Sequence, residues 1–369
     1  MRWSSTALIG CNLVVLSGCA LSHDVGGSGE ALLAPIELSQ ACLDEVGEAS
    51  DQLPKHLDCT GLYKDADKLE LADNLDLFTP VYPLWTDAAQ KDRWIYLPEG
   101  EKIDASDPAN WKFPNGTRLW KEFRNPDGSR KIETRVFIKT EEGDWSYATY
   151  VWDDAGKRAT RFDTGKELMV DGKAYGLPSH TQCNECHVGR RERVMGFDAV
   201  TLGVMGNGDR EGLTLDQLVS SGRIKNFDAD TEYKIGPNPE SAESRALGWM
   251  HNNCGVSCHN TNPNSKAYST GMRLILDPTQ LDGRPTDEFA AIKTTIGQQA
   301  FTLKWQGQTR IAPGAPEESL LYKLITTRGN AKEQMPPIGT NYTDDENIKV
   351  VKEWITGMKP GSGSSDSPD

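Results

Sequence analysis

Two short stretches of the chain set a pair of cysteines directly ahead of a histidine. In Cys183-Asn184-Glu185-Cys186-His187 the thiols are three residues apart, on one side of a helical turn, and an imidazole follows at once. Such a pair can reach the two vinyl groups of a porphyrin while the histidine meets the iron, and this is the spacing that attaches haem c. Cys254-Gly255-Val256-Ser257-Cys258-His259 repeats the order with one more residue between the thiols. Residues four apart still share a helix face, so the extra residue should bulge the turn without turning either thiol away. Zinc is the competing chemistry, since the four cysteines with His187 and His259 offer the ligand types of a tetrahedral site. A strained local disulfide is a further alternative at the first cluster. A shared zinc site would need two clusters far apart in sequence to converge, and would leave both adjacent histidines without a reason.

A thioether supports haem at the second cluster. Met335 stands in Gln334-Met335-Pro336-Pro337-Ile338-Gly339, downstream of Cys258 and ahead of a helix near Thr343. It is a soft ligand suited to haem iron, and Met/His ligation raises the potential relative to two histidines. The order helix, Cys-Cys-His, methionine loop, terminal helix is a cytochrome c architecture; Met272 or Met358 is the fallback ligand. For the first haem the sixth ligand is open among His180, Met195, Met205, Met250 and His251. Arg190 and Arg191 could pair with haem propionates, or could be a solvated basic pair.

These clusters need a compartment where haem c is attached. Arg2 precedes the apolar run Ala7 to Leu16, which ends in Leu16-Ser17-Gly18-Cys19, the pattern of a lipoprotein signal peptide over residues 1–18 with Cys19 acylated. The run is too short for a membrane-spanning helix. Ala20, in the place where an Asp would retain a lipoprotein in the inner membrane, favours the outer membrane by similarity to other lipoproteins. Export makes free thiols unusual. Of eight cysteines, Cys11 and Cys19 fall in the leader and four in the clusters, leaving Cys42 and Cys59 for each other unless one is a buried thiol. A net charge of −14 with no basic run argues against a nucleic-acid partner. It suits a soluble protein that meets a basic redox partner, and equally an ordinary solvated surface.

The elements that must position the clusters change character along the chain. Arg93–Leu97, Thr134–Ile138 and Trp145–Trp152 are aromatic and β-branched, with turns at Pro114-Asn115-Gly116 and Pro126-Asp127-Gly128, which predicts strands. Their tryptophans are expected to fill a sandwich or barrel core, the alternative being a carbohydrate-binding face. Beyond Asp163 the character changes, and after the first cluster at 183–187 no further strand pattern is expected. Helices are predicted at Ser244–His251, at Pro316–Thr326 and after the capping box Thr343-Asp344-Asp345-Glu346. The expected fold class is α+β: a tether and disulfide segment over 19–60, a β-rich domain over 61–175, a first haem segment over 176–240, a cytochrome c-like domain over 241–360 and a disordered tail over 361–369.

A resemblance covers most of the mature chain. Ala246 to Met358, through Pro313–Tyr322, the Met335-Pro-Pro loop and Glu353-Trp354-Ile355, resembles bacterial cytochrome c domains of planctomycete-type multi-domain proteins. The preceding part is similar to a poorly characterised family of exported proteins with a β-rich domain before a first haem motif. Its carriers are Tyr82–Asp87, Lys91–Ile95, Trp111–Thr117, Lys121–Phe123, Glu133–Arg135 and Pro178–Cys183. The resemblance implies a haem-bearing architecture, and the chain departs from it at the Cys254–Cys258 spacing. The expected function is electron relay by a di-haem c-type cytochrome with unidentified redox partners. A haem oxidoreductase such as a di-haem peroxidase, or a polymer-binding module with accessory haems, is the alternative. No nucleophile-base or paired-carboxylate constellation points to other catalysis.

Overall fold

The computed structural model describes Cys42 and residues 53–204 and 211–359. The signal segment, Cys19, most of the tether, Met205 and the tail from 361 lie outside the described residues. The strands are β1 (Tyr63–Asp65), β2 (Glu70–Leu71), β3 (Asp76–Leu77), β4 (Gln90–Tyr96), β5 (Ile103–Asp104), β6 (Arg118–Arg124), β7 (Lys131–Lys139), β8 (Trp145–Trp152), β9 (Ala159–Arg161), β10 (Thr164–Val170), β11 (Lys173–Ser179) and β12 (Ile224–Lys225). An antiparallel sheet in the order β3-β4-β6-β7-β8-β9 dominates. The helices are α1 (His180–His187), α2 (Ala199–Gly203), α3 (Leu215–Ser220), α4 (Ala242–Met250), α5 (Ala290–Lys293), α6 (Leu320–Thr326) and α7 (Asp345–Gly357). The molecule is thus α+β. No helix among the described residues is long and apolar enough to cross a membrane.

Side chains on a strand alternate between faces, and that alternation divides the sheet. Trp94, Tyr96, Trp120, Val136, Ile138, Tyr150 and Trp152 face one way and pack with Leu57, Leu62 and Tyr63 of the leading segment. Trp120 Nε1 donates to Thr60 Oγ1 at 2.9 Å and Trp152 Nε1 to Thr134 Oγ1 at 3.0 Å, so these two buried indoles are satisfied. The strand tryptophans Trp94, Trp120, Trp145 and Trp152 are core. Cys42 and Cys59 form a disulfide that clasps this leading segment, with Cα atoms 5.2 Å apart.

The sheet's other face packs on the rest of the chain. One apolar cluster runs from Ile95, Phe113 and Trp145 through Phe197 and Leu202 to Leu247, Val351 and Trp354, so sheet and helices share a core. Three details differ from expectation. Strand pairing returns after the first cluster, because Ile224 and Lys225 pair in parallel with Ile103 and Asp104. The stretch from Pro316 is broken: a 3-10 turn, Pro316–Glu318, precedes α6. The cap of α7 is Asp344, not Thr343; its Oδ1 accepts from Asn347 N at 3.3 Å while its Oδ2 accepts from Trp249 Nε1 at 2.9 Å, a second bond that fixes the choice.

Candidate cofactor site

The first cluster is placed by a direct hand-over from strand to helix. Hairpin β10–β11 runs past 175 to Ser179, and Ser179 then caps α1, accepting from Gln182 N while Gln182 Oε1 accepts from Ser179 N. α1 lies across the sheet's inner face: the His187 ring is 4.4 Å from that of Phe137, and His180 stacks on Tyr147 at 4.3 Å. Cys183 lies beside Thr149 of β8. After the helix the chain turns back through Arg193, whose backbone is left-handed at φ 55° and whose carbonyl meets His187 Nδ1. With Nδ1 engaged there, Nε2 is left to act as a ligand.

The second cluster sits on a widened helix. α4 runs on as a π-helical stretch, His251–Gly255, in which Val256 N reaches back five residues to the His251 carbonyl at 2.8 Å. The same five-residue reach recurs within the motif, from His259 N to Cys254 O at 2.9 Å. That is the expected bulge: the extra residue between Cys254 and Cys258 is absorbed by π-type turns. Asn260 Nδ2 donates to the carbonyls of Gly255 and Val256 at 2.9 and 3.1 Å, satisfying groups the wide turn leaves open. His259 Nδ1 has no partner in hydrogen-bond geometry, although the Met272 carbonyl lies close enough to favour its protonation.

Both clusters open onto one cavity of about 350 Å³, lined by all four cysteines, His187, His259 and Met335 together with apolar side chains that include Leu177, Leu274, Leu320 and Leu324. The clusters also touch directly. A Cβ on Gly189 would stand 1.8 Å from the Ser257 carbonyl oxygen, and Asn262 Nδ2 donates to Val188 O at 3.2 Å. Burial pushes both imidazoles down to about 4, which keeps them neutral as a metal ligand must be. Burial also pushes the Cys186 and Cys254 thiols up to about 12, each further by the neighbouring Cys258, and raises Cys183 and Cys258. Among the described residues no three His, Cys, Asp or Glu side chains converge as a metal cluster.

The methionine loop is pinned where the sequence put it. Met335 N donates to Leu324 O at 2.9 Å, Arg328 Nη1 to Met335 O at 3.3 Å, and Gln334 Nε2 to Pro336 O at 3.1 Å. Segment 84–87 closes the same wall. Trp85 N donates to Asn253 Oδ1 at 2.7 Å and its Nε1 to Tyr342 O at 2.9 Å, while the Asp87 carboxylate accepts from Asn341 N and Tyr342 N.

The candidate sixth ligands of the first cluster separate clearly. Met195 lines the cavity; Met250 is fully buried in the apolar core and His180 is exposed on Tyr147. His251 is not at the cavity: its Nδ1 accepts from Leu276 N at 2.9 Å and its Nε2 faces Asp198 at 3.8 Å. Met272 lines the cavity as well, whereas Met358 packs on the core outside it. Arg190 is spent on Asp198, 3.6 Å away and buried, and Arg191 is exposed, so neither faces the cavity. The cations that do are Arg135, Lys266 and Arg310, which sequence reasoning left unassigned. The only signal for them was Arg135's place in the short Glu133-Thr134-Arg135 stretch.

These residues fit a haem: paired thiols on one helix face, a neutral imidazole after each pair, an apolar wall and a thioether in the same space. No protein-family profile, curated protein or solved structure matches the chain.

Proposed function

We propose that this chain is a di-haem c-type cytochrome that relays electrons. One haem would be held by Cys183, Cys186 and His187, the other by Cys254, Cys258 and His259, with Met335 as the distal ligand of the second. The observation that carries the reading is the single cavity onto which both clusters and Met335 open. Haem would supply a one-electron redox centre, raised in potential where Met and His both ligate it. The chain's residues supply the rest. The Arg193 carbonyl selects which nitrogen of His187 is free, burial keeps both imidazoles unprotonated, and the pinned loop holds the Met335 thioether against the α6 wall. Because Gly189 and Ser257 are in contact, the two centres would be near neighbours, an arrangement suited to passing electrons between them.

Electron exchange with redox partner proteins, and a lipid anchor at Cys19 facing the periplasm from the outer membrane, complete the proposal; Cys19→Ser should release the protein from membranes, and a wild type already soluble would sink that part. The deciding experiment counts haem on the denatured, exported chain, since covalent haem survives denaturation where zinc and haem b do not. Two haems per chain are expected. One haem, abolished by Cys183→Ala, would remove the second site, and none would remove the reading. Peroxide turnover by the reduced protein would instead favour the di-haem peroxidase class.

A further inference from the structure

The inner face of the sheet carries like charges in register. Arg93 of β4 stands directly opposite Lys121 of β6, and Lys121 directly opposite Arg135 of β7. Directly opposed residues of antiparallel strands bring their Cβ atoms to about 5 Å, and like charges placed so repel. The row lies under the first cluster: Arg135 lines the cavity with Cys183 and Cys186, and the charges of both Arg135 and Lys121 act on His187.

The neighbourhood offsets only one charge of this row. Glu133, fully buried, is taken by Arg135, which donates from Nε at 3.0 Å and Nη2 at 2.6 Å, and by Tyr175 Oη at 2.7 Å. Lys121 has no hydrogen-bond or ion-pair partner among the described residues; its ammonium rests 4.9 Å from the centre of the Phe123 ring, which Arg135 shares at 4.5 Å. Arg93 is 6% exposed, and its Nη2 is buried with no partner. Lys91, two residues before it, is already engaged by Leu84 O and Thr86 Oγ1 at 2.8 and 2.7 Å. Asp92 points to the other face and pairs with Arg124.

We propose that Arg93, Lys121 and Arg135 form a binding site for a carboxylate-like oxyanion beside the first cluster. A planar or tetrahedral group with two or three acceptor oxygens can accept from a guanidinium and an ammonium together, and neighbouring strands about 4.8 Å apart set the donors at a reach such a group spans. Two sources supply that chemistry: a propionate of the haem at Cys183 and Cys186, which rests on the di-haem reading, or a free small oxyanion, which does not.

The test uses the exported full chain as wild type, Lys121→Met, Lys121→Arg and Cys183→Ala, reading melting temperature with and without inorganic phosphate, and haem potential. If a propionate fills the site, phosphate leaves the wild type unmoved. Lys121→Met then melts lower and shifts one haem to lower potential, Lys121→Arg restores both, and in the Cys183→Ala chain Lys121→Met melts higher. If a free oxyanion fills it, phosphate raises the melting temperature of wild type and Lys121→Arg but not of Lys121→Met. Should Lys121→Met not fold, Lys121→Gln is read in the same way. A chain carrying no haem sinks the propionate source and the di-haem reading, while the phosphate response still decides the site. Equal melting, equal phosphate response and equal potentials in wild type and the neutral variant overturn the proposal.

Discussion

Gly189→Ala tests the contact on which the two-centre arrangement depends. An ideal Cβ at Gly189 would lie 1.8 Å from Ser257 O and 2.7 Å from Ser257 C. Both are backbone atoms within the second cluster, so no side-chain rotation relieves the clash. Restoring even 3.0 Å, the shortest distance real Cβ atoms keep, requires the clusters to part by about 1.2 Å. Overpacking a well-packed site costs about 1–3 kcal/mol. With backbone on the far side the upper end applies, and about 3 kcal/mol lowers the ratio of folded to unfolded chain by roughly 150-fold. Urea denaturation at unchanged slope measures it. Gly357→Ala is the control, since that position meets nothing within 4 Å and sits at the end of α7. A Gly189→Ala protein within about 0.5 kcal/mol of wild type, the range of neutral surface changes, would refute the close approach and with it the adjacency of the two centres.

Other perturbations reach different parts of the argument. Met335→Ala should open one sixth position, giving a high-spin signal and fast carbon monoxide binding at one haem, while Met335→His should lower that haem's potential and abolish the weak sulfur-to-iron band; unchanged spectra would return Met335 to packing and turn attention to Met272. Asp344→Ala removes the cap of α7 and the Trp249 indole's acceptor together, so it should cost at least the roughly 1 kcal/mol of an ordinary cap in chemical denaturation, and Thr343→Ala should cost less. Replacing Cys42 and Cys59 with alanine opens a loop of separation 17 and should cost about 3 kcal/mol, read as a fall in denaturation midpoint at unchanged haem content.

What could be read from sequence was whatever is local. Period-two aromatics marked Trp145–Trp152 to the residue, the expected Pro-x-Gly turns form with Gly116 and Gly128 in left-handed backbone, and elimination paired Cys42 with Cys59. Long-range placement was not legible. His251 and Met250 stand next to the second cluster in sequence, yet α4 and its π extension turn them toward Asp198 and the core. Arg190 and Arg191 follow His187 closely, yet the facing cations are Arg135 of β7, Lys266, and Arg310, which is held by the carbonyls of Thr294 and Thr270. The capping box misplaced its first residue because the decisive partner, Trp249, lies 95 positions away.

The irregular spacing at Cys254 shows how local and distant constraints combine. An inserted residue in a straight α-helix would rotate everything beyond it by about 100°. Here two five-residue hydrogen bonds take up the insertion, from Val256 to His251 and from His259 to Cys254, so both thiols and the imidazole still line the cavity. A widened turn exposes carbonyls and crowds whatever lies beneath it. Asn260 answers the first problem. Gly255 answers the second, because a Cβ there would stand 2.4 Å from Ile275 N. The spacing is therefore not a damaged copy of the first motif but one whose insertion is built into the packing. Deleting Ser257 to restore the shorter spacing should misplace Cys258 and His259, and would also strip the carbonyl that Gly189 is shaped to approach.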